Sequence, residues 1–72
     1  MTGDERELLQ AVLEALTLPY SVDGYQRRLV NRAGWVCTTL KGALEEGDVA
    51  WHADYLRRKM RDEEAAAKGG ER

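Results

Sequence analysis

Two side chains of this 72-residue chain could do chemistry near neutral pH: its single cysteine, Cys37, and its single histidine, His52. A nucleophilic thiol needs a nearby base or cation to ionise it. A histidine acting as a base needs a hydroxyl, thiol or carboxylate within hydrogen-bond reach. The sequence places no serine, cysteine or carboxylate to pair with His52, which falls on an apolar helix face near Val49 and Leu56 and reads as a half-buried ring. Cys37 reads as a small buried apolar residue. One cysteine and one histidine fall short of the four ligands of a structural zinc site, and a lone cysteine excludes an intramolecular disulfide. Asp23, Asp48 and Asp54 do not repeat a metal-loop pattern, and no glycine-rich phosphate loop is present. The expectation is therefore a protein that is not an enzyme, with no catalytic residue, no cofactor, no metal and no evident small-molecule substrate.

Binding chemistry has more to work with. On a helical projection Trp35 falls away from the Leu29, Val36 and Leu40 stripe, on the side of Arg28, Arg32 and Thr39. A tryptophan flanked by arginines has the composition of a binding hot spot. With Trp51 and Tyr55 further on, it marks Arg28, Arg32, Trp35, Trp51 and Tyr55 as candidate partner-binding residues, the partner being a second copy or another protein. The alternative is that the chain's own fold covers Trp35. Gly34, Thr38 and Gly42, each four apart, form a row of small residues that allows close helix packing. Each glycine costs roughly 1 kcal/mol against alanine in a helix interior, so something must offset it. Arg27, Arg28, Arg32 and Lys41 have no acid between them, which gives a second candidate, a nucleic-acid surface using Arg27, Arg28 and Arg32. Against it, helix 3 balances its basic residues with Asp54, Asp62, Glu63 and Glu64. Its first turn holds Val49, Ala50, Trp51 and His52 where a recognition helix would place polar base-readers.

Three helices must position these groups. Thr2 followed by Glu5 is a capping box for a first helix over 4–16, with Asp4, Glu5 and Glu7 suiting the positive end of its dipole. Leu8, Leu9, Val12, Leu13 and Leu16 form its apolar stripe. Pro19 ends it. Ser21 or Asp23 caps a second helix over 22–46, with Gly24 in its first turn. Val22, Tyr25, Leu29, Ala33, Val36, Leu40 and Leu44 step along one side of it, widened by Val30 and Cys37. Gly47 is a natural left-handed stop and Asp48 a natural N-cap for the third helix. That helix starts at Val49 and carries Val49, His52, Ala53, Tyr55, Leu56 and Met60 on one face. Past Met60 the apolar signal stops, so 62–68 is expected to fray.

The totals bound the rest. A chain of 72 residues is one domain with a small core. The formal net charge is −2 and the charged fraction 33%, so no bulk charge draws it to nucleic acid or membrane. No apolar run spans a bilayer, and the acidic N-terminus lacks a signal peptide's pattern, which predicts a cytoplasmic protein. Two segments, LLQAVLEALTLPY at 8–20 and GALEEGDVAWHADYLRRKM at 42–60, resemble small uncharacterised helical proteins of actinobacterial phages and integrated mobile elements. That resemblance implies an accessory protein acting by binding and assigns no catalytic residue.

The expected architecture is all-α: a three-helix bundle built on a long antiparallel helical hairpin over 22–60, with the short N-terminal helix packed across it. It forms one domain over 1–68 with a flexible tail at 69–72. The expected core is Leu8, Leu9, Val12, Leu13, Leu16, Leu29, Val36, Leu40, Leu44, Val49, Leu56 and Met60. The first helix, about 20 Å long at ~1.5 Å per residue, cannot cover a second of about 37 Å.

Overall fold

The structure, a computed structural model, describes residues 2–69. Three α-helices pack together: α1 (Gly3–Leu16), α2 (Tyr25–Glu46) and α3 (Val49–Gly69). The capping box at the start of α1 is formed in both directions. The Thr2 hydroxyl accepts from the Glu5 N–H at 3.1 Å, and the Thr2 N–H donates to Glu5 Oε1 at 2.9 Å. The helix stops two residues before the residue preceding proline, and the Thr17 hydroxyl donates to the freed Leu13 carbonyl at 2.7 Å.

The second helix starts three residues later than the sequence suggests. Gly24 has φ +68°, a left-handed conformation that cannot belong to a right-handed first turn. Val22 instead closes a turn, its N–H donating to the Pro19 carbonyl at 3.3 Å. Gly47, with φ +80°, ends α2 and donates its N–H to the Ala43 carbonyl. Asp48 Oδ1 accepts from the Trp51 N–H at 3.3 Å and so caps α3. Both junction residues act as their chemistry predicts. The third helix runs through 62–68, the stretch expected to be helical by propensity but to fray, and ends at Gly69. The tail residues 70–72 lie outside the described residues.

The core is smaller and poorer in leucine than expected. One buried cluster joins Ala11 and Ala15 of α1, Val36 of α2, and Leu56 and Met60 of α3. A second joins Leu8, Ala43 and Ala53. Val12 and Leu40 pack against both, Val49 against the second, and Leu18 in the connection is also buried. Four residues expected in the core lie on the surface instead: Leu9, Leu13, Leu16 and Leu44 are 53, 65, 44 and 86% exposed. Cys37, expected to be buried, is exposed as well.

The cause is the rotation of α1. Its apolar residues cover more than half of its circumference, so either an alanine side or a leucine side can face inward. In the structure the alanine side faces inward: Ala11 and Ala15 are buried and Leu9, Leu13 and Leu16 are exposed. The same rotation brings Glu14 and Glu7, about 130° round the helix from the Leu9 and Leu13 line at 100° per residue, to Arg57 of α3, which donates to them at 3.0 and 3.3 Å. These pairs are solvent-exposed and accompany the rotation; exposed ion pairs are too weak to impose it.

Candidate interaction surface

The α2/α3 side carries the residues singled out from the sequence, and its polar groups are mostly satisfied within the chain. Arg32 is 4% exposed, not on a solvent face. Its Nε and Nη2 donate to Glu63 Oε1 at 3.0 and 2.8 Å, and its Nη1 donates to the Ala15 carbonyl at 3.3 Å. That carbonyl belongs to the last turn of α1, where helical partners run out. One guanidinium thus ties α1, α2 and α3 together. Arg28 adds a further bond from Nη2 to Glu63 Oε1 at 2.8 Å.

Burial is the largest influence on the Glu63 carboxyl and by itself would raise its pKa. The hydrogen bonds from Arg28 and Arg32, with their charges, outweigh it and hold Glu63 below the ordinary glutamate range. The hydrogen bond that Arg28 donates to Glu63 raises the Arg28 pKa against its own desolvation. Of the three arginines in the nucleic-acid alternative, Arg28 and Arg32 are therefore neutralised internally. Only Arg27 is exposed and outside any ion pair among the described residues.

The aromatic residues divide. Trp35 is half-buried against the core, with the Lys59 amine 5.3 Å from its ring centroid. Trp51 is 52% exposed and stacks on Tyr55 at 5.9 Å with 8° between the planes. Its edge meets His52 at 4.9 Å. His52 is buried, and it has the carboxylate partner that the sequence reading did not find. Its Nε2–H donates to Glu46 Oε1 at 2.8 Å across the α2–α3 turn. The bond fixes the tautomer, because an ionised carboxylate only accepts.

The small-residue row is not one packing surface. A Cβ on Gly42 would collide with His52 Cε1 and lie 2.8 Å from Nδ1 and 2.9 Å from Nε2, whereas a Cβ on Gly34 would meet nothing within 4 Å. Thr38 is exposed. Within the chain only Gly42 is required small.

The sequence reading did not mark the α1/α2 side as a surface, because its leucines were expected in the core. There Glu5, Leu8 and Leu9 of α1 line an open groove with Leu40, Ala43 and Leu44 of α2 and Val49 of α3. Val30, which is 70% exposed, and Cys37 continue it along α2. On the outer side of α1, Leu13 lies with Leu9, Arg6 and Gln10 in a separate shallow depression, and Leu16 is exposed in the last turn. The available signal was the width of the apolar stripe on both helices, more than a third helix can cover.

Among the described residues no group of three or more potential ligands is placed to hold a metal ion, and no helix is long and apolar enough to cross a membrane. No protein family, curated protein or solved structure matches the chain.

Proposed function

We propose that this chain is a protein-interaction module without catalytic activity, working through the leucine face of α1 and α2. In this reading α2 and α3 are an antiparallel hairpin with α1 packed across it. Arg28, Arg32 and Glu63 hold the hairpin and α1 in register, and Trp51 with Tyr55 lies on the opposite flank.

One observation carries the reading. Leu9, Leu13, Leu16, Leu44 and Val30 are all exposed, and Leu9 and Leu44 line one open groove between α1 and α2; exposed apolar side chains gathered beside a groove mark interaction sites. Leucines at such positions do little for the monomer's stability, so their chemistry points to a binding role. As with the proteins its segments resemble, an accessory part in a mobile element would fit a chain that acts only by binding.

The test separates folding from binding. In L13Q/L44Q, two leucines become polar residues of similar size. The expected result is an unfolding free energy, measured on monomeric chain, within about 0.5 kcal/mol of the wild type, as for exposed positions. A loss of several kcal/mol would place these leucines in the core and remove the reading.

A further inference from the structure

We infer that the occupant of the α1/α2 face is a second copy of this chain, its α2 lying antiparallel to the first across a two-fold axis near Cys37. The inference rests on the proposed binding role and adds the identity of the partner.

Three features converge on it. First, the exposed side of α2 has a heptad pattern: Val30, Cys37 and Leu44 are seven apart, with Ala33 and Leu40 between them. That 3.5-residue repeat is the seam one helix presents to another. The fully buried positions of α2 are others, Arg32, Val36, Thr39 and Ala43; Leu40 is half-buried and reaches both the core and the seam. A closed two-fold pairing centred on Cys37 sets Val30 of one copy against Leu44 of the other at both ends, as an isologous interface requires.

Second, the charges outside the seam are arranged for that direction. Arg27 lies at the N-terminal end of α2 and Glu45 at its C-terminal end, eighteen positions on, which is about five turns along the same line. Both are exposed, and no ion pair engages either among the described residues. An antiparallel α2 brings Arg27 of each copy toward Glu45 of the other, and a parallel one sets like charges together.

Third, the size suits a weak, concentration-dependent dimer: the exposed apolar side chains of two copies come together to roughly 1,000 Å², just under the ~1,200 Å² at which stable specific interfaces begin. Leu9, Leu13 and Leu16 then flank the partner's α2, which lies in the groove between α1 and α2. The small residues Ala33, Gly34 and Cys37 sit where the two backbones come nearest. Gly34, which has no packing role within the chain, acquires one.

Sedimentation velocity from about 1 to 100 µM, a short bismaleimide reacting with Cys37, and a charge exchange test this together. The expected wild type is a dimer at the upper concentrations and cross-links through its only cysteine. Arg27→Glu and Glu45→Arg each weaken the dimer several-fold, and R27E/E45R together restore it. Leu44→Gln weakens it at least about a hundred-fold while the chain stays folded.

A chain that is monomeric throughout, or a dimer that neither cross-links at Cys37 nor shows charge rescue, overturns the inference. If the chain is monomeric and L13Q/L44Q keeps its stability, only the second copy fails, and a different protein covers the face. If that variant unfolds as a monomer, the binding role itself fails.

Discussion

The two long sides of α2 solve opposite problems. Toward α3 the helix presents polar groups in a closing interface, and most have a partner: Arg28 and Arg32 meet Glu63, Glu46 meets His52, and Gly42 leaves room for that imidazole, while Arg28 Nε, the Thr39 hydroxyl and Glu63 Oε2 are buried without one. Away from α3 it presents Leu44, Val30 and Cys37 with nothing from its own chain over them. The difference shows that in a small bundle burial is not assigned by hydrophobicity alone. A guanidinium with three directed bonds is held inside, while a leucine with none is left on the surface. The first side serves folding; the second is the side we propose meets another surface.

The sharpest way to break this contrast is to remove the carboxylate on the folded side. Glu63→Ala removes the hydrogen-bonded counter-charge of the buried Arg32, leaving only the exposed Glu64 carboxylate 3.7 Å away, and is expected to cost about 3 kcal/mol in denaturant unfolding. That would leave a domain of this size partly unfolded. A loss under 1 kcal/mol would mean that the cluster is solvated.

The same cluster has a pH signature. Glu63 titrates below the ordinary glutamate range in the folded chain. Between its folded and unfolded values the unfolded chain therefore holds more protons, and stability rises with pH there. The stabilisation is fully present above the ordinary glutamate value and is lost as pH falls through the folded one. Melts of Glu63→Gln across that window are expected to show a weaker acid dependence than the wild type.

Next in size come the two glycines, which separate the sides directly. Gly42→Ala gains helix propensity but drives a methyl into His52, so a net loss of about 2 kcal/mol is expected. Gly34→Ala meets open space within the chain and is expected to gain about 0.5–1 kcal/mol in the monomer. Equal effects at the two positions would erase the distinction. Smaller again, Thr39 is fully buried and its hydroxyl lacks a hydrogen-bond partner. Thr39→Val keeps the shape and removes the unpaired group, so about 1 kcal/mol of added stability is expected in thermal melts.

What was legible in the sequence was local. The capping box at Thr2 and Glu5, the stop at Gly47 and the cap at Asp48 each depend on residues within four positions, and all are found where their chemistry places them. Gly24 was placed inside α2 because propensity alone tolerates glycine in a first turn, and only its positive φ reveals that the helix starts after it. The rotation of α1 was not legible, because its leucine and alanine sides are both apolar. The choice between them depends on packing against α2 and α3, which lie tens of residues away in the chain, as the Arg57–Glu14 pair across 43 residues illustrates.

Arg32 was misjudged for a related reason. Its partner Glu63 is 31 residues away, so an arginine read alone looks solvated. The usable signal was the run Arg32, Val36, Thr39 and Ala43, spaced four, three and four, which is the stripe that α2 buries. The matching pair Glu63 and Glu64 stood on the far half of α3, and the expectation that this half frays hid it.

The central claim is that the leucine face serves association rather than folding. The most direct measurement is the melting temperature of the wild type and of L13Q/L44Q as a function of chain concentration. Association stabilises the folded state by mass action. The account therefore predicts that the wild-type midpoint rises with concentration, while the variant's stays flat and equals the wild-type value at the lowest concentration. A wild-type midpoint independent of concentration, with the variant melting lower throughout, would contradict it.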